Sequence, residues 1–349
     1  MTGGNAGAGE AHFGAGPRDR TGGAYSVVVP TIGRPCLAHC LRALATADGP
    51  SPHEVLVVDD RPSPSGALDV SGAGPLAGRT RVLRSGGRGP AAARNTGLWQ
   101  VTTPWVVFLD DDVRVLPDWG GRLATDLAEA DARTGGVQGR LRVPLDPSRR
   151  PTDWERCTAG LEGAAWATAD MAYRTAVLTG AGGFDERFRR AFREDADVAL
   201  RVSDAGWTLR RGTRTTLHPV RPADRWVSVR AQRGNADDAL MGHLHGSDWW
   251  TRAGAPRGRL RRHLAVTVAA AAAPVLALTG HRRAAAGAAA LWAVGTAEFA
   301  CARIGPGPRT PHEVATMLWT SVVIPPLASA HRVAGTARHR GATAWRGAV

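Results

Sequence analysis

The sequence predicts an α/β fold: a mostly parallel central sheet covered on both faces by helices, followed by a helical, apolar region. Three observations carry this expectation. Short continuous apolar runs alternate with helical stretches through the first half of the chain. Two of those runs end in acids. Three Ala-rich apolar stretches occupy the last third, behind a run of arginines.

The elements follow in order. Ser26-Val27-Val28-Val29-Pro30 is an apolar run closed by proline, the pattern of a buried strand. A helical stretch covers about 35–47, with Leu37, Leu41 and Leu44 at helical spacing. Glu54-Val55-Leu56-Val57-Val58-Asp59-Asp60 is a second strand ending in two acids, and Arg81-Val82-Leu83 a third, weaker one. The segment 89–100 is helical in pattern. Trp105-Val106-Val107-Phe108-Leu109 is a fourth strand that runs into Asp110-Asp111-Asp112. In such sheets ligands sit beyond the carboxyl ends of the strands, so both sets of acids should meet on one edge. The pattern from 135 to 219 is less regular. After Arg257-Gly258-Arg259-Leu260-Arg261-Arg262 come the apolar stretches 264–280, 284–302 and 313–330. The expected organisation is a disordered tail over 1–23, a catalytic domain over 24–256 and a helical, membrane-associated region over 257–349.

Composition bounds the function. Of 349 residues 43% are apolar, enough for a sizeable core and against global disorder. The net charge is +13, and all 44 cations are arginine. That excess suits phosphate-bearing ligands or an anionic membrane surface, although a GC-rich genome produces the same bias. No zinc-finger spacing, RNA-binding aromatic motif or basic heptad region is present, so nucleic acid is not an expected partner. Cys36, Cys40, Cys157 and Cys301 are scattered without a CxxC pair, which fits a reducing compartment. The Gly/Ala-rich start lacks the pattern of a secretory signal.

The aspartate triplet is the strongest local signal for chemistry. Three successive carboxylates at a strand end repel one another unless a cation neutralises them. Hard oxygen ligands favour Mg²⁺ or Mn²⁺, which also bind substrate phosphates. A solvated turn is the other reading. Further on lies Gly182-Gly183-Phe184-Asp185-Glu186, then Arg193-Glu194-Asp195-Ala196-Asp197. The glycines suggest a close backbone approach to a ligand, and the acids open a helix whose N-terminus favours negative charge. An ordinary capped helix would look the same.

Taken together, Val27-Val28-Val29-Pro30-Thr31, Val57-Val58-Asp59-Asp60, Ala93-Arg94-Asn95-Thr96-Gly97, Phe108-Leu109-Asp110-Asp111-Asp112 and Gly182-Gly183-Phe184-Asp185-Glu186 with Glu194-Asp195-Ala196-Asp197 resemble the family 2 glycosyltransferases, an inverting group with the GT-A fold. The resemblance covers about residues 25–220 and implies a nucleotide-sugar donor, foremost a UDP-sugar. By position it implies that Pro30 and Thr31 line the nucleotide pocket, that Asp60 accepts a hydrogen bond from the base, and that Arg94 lies near the base or diphosphate. Asp111 would lie by the ribose, Asp112 would bind the divalent metal, and His218 would stand near the metal or pack in a loop. Asp195 matches the catalytic base. Gly183, Glu194 and Asp197 would orient the acceptor or support its loop.

There are departures. Ile32-Gly33-Arg34 replaces the Asn common after the first strand, and no QxxRW follows Asp195, which favours single-sugar transfer over polymerisation. A nucleotidyltransferase would share the sheet and acids but would carry a glycine-rich basic loop after the first strand. A degenerate domain serving as a membrane scaffold would not need both acid clusters. The three late stretches, each slightly short of the roughly 20 residues that span a bilayer, favour a membrane module over a soluble core. Nucleotide sugars being cytosolic, the catalytic domain is expected on the cytoplasmic face of the cell membrane. A lipid or cell-envelope glycan is the acceptor that matches a membranous tail, and a small-molecule acceptor the one that matches a soluble tail.

Overall fold

A computed structural model describes residues 23–347, so the expected disordered tail lies almost wholly outside the described residues. The chain runs β1 (Tyr25–Thr31), α1 (Leu37–Ala45), β2 (Val55–Asp59), β3 (Thr80–Arg84), α2 (Pro90–Leu98), β4 (Trp105–Leu109), β5 (Arg114–Val115), α3 (Trp119–Ala128) and β6 (Thr134–Arg142). It continues through α4 (Asp153–Ala159), β7 (Asp170–Arg174), α5 (Thr175–Gly180), α6 (Glu194–Asp204) and β8 (Thr208–Leu217). After the sheet come α7 (Val227–Ala231), α8 (Gly234–His245), α9 (Trp249–Arg252), α10 (Leu260–Leu278), α11 (Arg282–Ile304) and α12 (Pro311–Arg338).

The eight strands form one sheet in the order β3-β2-β1-β4-β7-β6-β8-β5. Strands β1 to β4 are mutually parallel, β7 runs antiparallel between β4 and β6, and β8 lies parallel to β6. The core is therefore the expected α/β sheet, mixed in its second half. Its apolar strands bury both faces because side chains alternate along them. Val27, Val29, Val55, Val57 and Val107 pack under α1 and α3, while Val28, Leu56, Val58, Val106 and Phe108 pack under α2, α5 and α6. A third cluster ties α6 to α8 and α9 through Phe188, Leu200, Leu240, Met241 and Trp249.

The irregular stretch from 135 to 219 holds most of β6 together with β7 and β8, and a buried charge network that periodicity cannot show. Arg214 on β8 is fully buried and pairs with Asp126 of α3 at 3.0 Å and with Asp170 of β7 at 2.8 Å. Asp170 also accepts from Trp119 Nε1 and Thr216 Oγ1. Every polar atom of Asp170 is thus satisfied, which is the condition for tolerating charge in a core.

Helices α10, α11 and α12 are long and apolar enough to cross a membrane by length and composition. Helix α12 packs along α7 and α8, so the region beyond 257 is joined to elements on the near side of that position. Where Gly335 meets Ala236, a Cβ would lie 2.5 Å from the neighbouring backbone, and only glycine allows that approach.

Removing one partner of a buried ion network leaves the others uncompensated. Asp170→Ala should therefore lower the unfolding free energy by about 3–5 kcal/mol, read by chemical denaturation of the detergent-solubilised protein. A change within experimental error would contradict the role assigned to this network.

Candidate active site

Strands β1, β2, β4 and β8 point the same way, so their carboxyl ends share one edge of the sheet. Thr31, Asp60, Asp110 to Asp112 and His218 follow from those ends and line one cavity of about 190 Å³, together with Pro30 and Arg94. The convergence expected of the acid pair and the acid triplet holds for Asp60 and for Asp110 to Asp112. Asp59 instead turns to Arg61, and that guanidinium holds its carboxyl below the usual range.

Pairing of β5 with β8 fixes the metal-side residues. Arg114 stands opposite Leu217 and Val115 opposite Thr216, which brings Asp112 to His218 with Nε2 3.7 Å from the carboxylate. Asp110, Asp112 and His218 offer three ligand atoms within 4.8 Å of one another. Burial, together with the neighbouring Asp110, raises the Asp112 carboxyl against the pull of His218 and Arg221. His218 Nδ1 is buried without a hydrogen-bond partner. Two carboxylates and an imidazole converging in one cluster, with an unpartnered ring nitrogen, fit Mn²⁺ or Mg²⁺, and they would hold it beside the cavity. Asp110 joins this set in addition to the expected Asp112 and His218.

Asp111 is turned aside to Thr31 Oγ1 at 2.6 Å and Arg34 at 2.9 Å, still on the cavity wall. Asp60 accepts from Ser85 Oγ and from the Gly89 N–H and keeps acceptor capacity towards the cavity. Arg34 and Arg221 were not singled out by sequence reasoning. Arg34 pairs with Asp111 and Arg221 with Asp112 at 2.9 Å, so two half-exposed guanidiniums stand at the mouth. The departure at Ile32-Gly33-Arg34 was the available signal for the first, and the Arg three residues after His218 for the second.

Arg94 is almost wholly buried and bridges two carboxylates, Asp110 at 2.9 Å and Glu194 at 2.7 Å. Both terminal nitrogens of its guanidinium are committed to protein carboxylates, and its buried Nε has no partner. Burial pushes the Glu194 carboxyl up, against that guanidinium. Beyond Arg94 opens a second cavity of about 440 Å³ that shares Arg94, Asp110, His218 and Arg221 with the first. Its further wall is largely apolar, with Trp154, Leu161, Ala167, Ala169 and Phe192, and Asp195 lines it. Burial raises the Asp195 carboxyl, although Arg94 and the Ala196 N–H favour its charged form. A carboxyl raised in this way is suited to taking up a proton.

The start of α6 is held from outside the cavity. Arg193 sits in the left-handed region at φ 76°, uncommon for a side chain with Cβ, so the surrounding contacts have to hold it there. Its guanidinium pairs with Asp238 of α8 and stands over the Phe192, Trp249 and Trp250 rings. Asp197 faces away from both cavities, accepting from Arg201 at 2.7 Å and bonding His245 at 2.8 Å, which fits support rather than contact with a substrate. Gly183 lines neither cavity. The close approach expected there is to protein: a Cβ would meet Asn95 Oδ1 at 2.5 Å, and Asn95 in turn binds both backbone groups of Phe184.

With this geometry in hand, residues 26–195 match the family model described as glycosyl transferase family 2. The chain is 31% identical over 136 residues to a pre-mycofactocin glycosyltransferase of Mycobacterium tuberculosis, an alignment covering 35% of this chain and 28% of the relative. The chain thus spans under a third of the length of the curated relatives it matches. Among solved structures it is similar to a mannosyltransferase from Pyrobaculum calidifontis in complex with GDP-Man and Mn²⁺ (TM-score 0.49, 19% identity, 89% of this chain and 86% of that one). It is also similar to GalNAc-T7 with UDP, GalNAc and Mn²⁺ (TM-score 0.44, 16% identity, 66% and 54%).

Asp197 yields a pH-dependent prediction. Burial opposes its charge, but His245 and Arg201 hold its carboxyl below the ordinary value. A depressed carboxyl contributes stability that is present above the unfolded pKa of about 3.9 and lost as pH falls through the lower folded value. Asp197→Ala should cost about 3 kcal/mol at pH 7, with the gap to wild type narrowing below about pH 4. Denaturation curves at several pH values check this, and a gap that widens on acidification contradicts it.

Proposed function

With residues 26–195 carrying a family 2 glycosyltransferase domain, we propose that this chain transfers a sugar from a nucleoside diphosphate donor, foremost a UDP-sugar, to an acceptor hydroxyl with inversion at the anomeric carbon. The observation that carries this is the pair of cavities meeting at Arg94 and Asp110, with the metal-competent acids on one side and Asp195 on the other.

The first cavity takes the donor. Asp60 would accept from the base, Pro30, Thr31 and Asp111 would line the nucleoside, and Asp110, Asp112 and His218 would hold Mn²⁺ or Mg²⁺. A bound divalent ion supplies positive charge for the diphosphate oxygens. Because Arg94 is buried between two carboxylates, the more exposed guanidiniums of Arg34 and Arg221, each paired with a single acid, would meet charge growing on the leaving diphosphate. In the second cavity Asp195 accepts the proton of the attacking hydroxyl, and one displacement gives inversion without a covalent intermediate. Glu194, tied to Arg94, and Asp197, tied to α8 through His245, keep that carboxylate in place. The family match sets the nucleotidyltransferase reading aside, and retention of both acid clusters speaks against a silent scaffold.

Helix α4, which gives Trp154, Cys157 and Thr158 to the acceptor cavity, is joined to the roots of the apolar helices. Asp153 on α4 pairs with Arg303 at the end of α11 and binds Glu313 at the start of α12 through its N–H. An apolar-walled site beside these roots supports a lipid or envelope-glycan acceptor reached at the membrane, with residues 24–256 as the catalytic domain on the cytoplasmic face and 257–349 as its membrane-associated region.

Two substitutions should fail differently. Asp112→Asn should abolish turnover and weaken metal-dependent donor binding. Asp195→Asn should leave donor and metal affinity nearly intact and cut transfer by about 10²–10⁴-fold. Isothermal titration with donor plus Mn²⁺, alongside initial rates, separates the two. Full activity in excess chelator would refute the metal, and near wild-type transfer by Asp195→Asn would refute the base. Within the acceptor cavity, Phe192→Ala should raise the acceptor KM while leaving donor affinity unchanged, and an unchanged acceptor KM would contradict that assignment.

A further inference from the structure

Both ends of α12 rest on the catalytic domain. Its first turn receives the Asp153 N–H on Glu313, and its last turns lie against α8, where Gly335 meets Ala236. A helix held at both ends by one domain stays on that domain's side of a membrane. Leu318, Trp319, Val322 and Val333 nevertheless stand exposed along it, as on a helix lying at an interface. The α10–α11 hairpin packs on α12 along its lower part, so its tip is the element left to enter the bilayer, and its 19-residue first arm is about 28 Å long, close to the hydrocarbon thickness. Exposed Leu264, Val268, Val275 and Leu278 run up that arm, and Leu291, Trp292 and Val294 come down the other.

A cavity of about 590 Å³ opens at the root of this hairpin, between α8, α9 and the ends of α10 and α12. Its lining includes Arg257, Arg259, Arg261, Arg262 and Arg332, with the Trp250 indole beside them. The carboxylates within reach are already engaged: Asp238 by Arg193, and Glu298 by both Arg259 and Arg262. Arg257, Arg261 and Arg332 pair with no carboxylate among the described residues, and Arg332 Nη1 is buried without a hydrogen-bond partner. This cationic surplus lies one turn before the first exposed apolar side chain of α10, at the depth where headgroups meet hydrocarbon. Guanidinium groups bind phosphate oxygens in paired fashion, and an indole favours the same layer.

We propose that this cavity seats the phosphate of an anionic phospholipid, so that the hairpin's insertion depth and the catalytic domain's position are fixed by a bound lipid. The proposal rests on the membrane reading given above. It concerns neither donor nor acceptor, since none of these arginines lines either catalytic cavity.

The test uses the full-length chain in a neutral detergent, with its melting temperature followed as phosphatidylglycerol, phosphatidylcholine or inorganic phosphate is added. Phosphatidylglycerol should raise it by about several degrees, as a ligand of the folded state does, and phosphatidylcholine and inorganic phosphate should not. The triple variant Arg257→Ala, Arg261→Ala, Arg332→Ala should bind phosphatidylglycerol about a hundredfold more weakly. A variant of equal charge, Arg42→Ala, Arg133→Ala, Arg210→Ala, should respond like wild type. Equal stabilisation by phosphatidylcholine, the full effect from inorganic phosphate alone, or an unimpaired triple variant would overturn the proposal. A full-length protein that stays monodisperse without detergent would instead overturn the membrane reading on which it rests.

Discussion

Arg94 is the constraint on which the site depends. It belongs to α2, its guanidinium is buried, and it holds Asp110 at the end of β4 together with Glu194 at the start of α6. Those acids come from segments more than eighty residues apart, one on the donor side and one beside the proposed base. Burial already pushes the Glu194 carboxyl up, and the Arg94 guanidinium in direct contact with it is the main group that opposes that push. A single planar cation within reach of both acids makes them one rigid unit. The Arg94 ring contact with Phe184, itself packed on Phe108, sets that unit onto the sheet.

From this bridge the rest of the edge can be followed outward. Asp110 approaches Asp112 and His218 because β5 pairs with β8, and Asp195 stands in its cavity because Arg193 and Asp197 anchor the first turn of α6 to α8 and α9. Two cavities with different walls, one polar and one apolar, then share a narrow boundary at the bridge. In the proposed reaction, that boundary is where a donor carbon and an acceptor oxygen would meet.

Much of this was legible in the sequence, for a physical reason. Strands β1, β2 and β4 are buried on both faces, so their apolar runs and terminal acids are written contiguously, and the edge to which those acids converge follows from parallel order. The approach of Asp112 to His218 depends on a two-residue strand pairing across a hundred residues, which no local pattern records. The Arg94 bridge was missed because a buried arginine looks like any other in a chain whose 44 cations are all arginine. The Gly183 signal was real but pointed to protein, since a positive φ demands glycine whether a ligand or Asn95 is the neighbour. The late apolar stretches were readable by length. That α12 is fastened to the catalytic domain at both ends is a fact of tertiary packing, carried by Gly335 and Glu313 rather than by hydropathy.

The most direct measurement on the account's central claim is turnover and donor affinity of Arg94→Lys, in protein shown to be folded by its melting curve. Lysine keeps the charge but is a single ammonium that lacks the planar fork spanning both carboxylates. Displacing the two sides by even about 1 Å should cut turnover by about a hundredfold and weaken Mn²⁺-dependent donor binding as well. A folded Arg94→Lys enzyme that binds donor and transfers sugar at the wild-type rate would contradict the account.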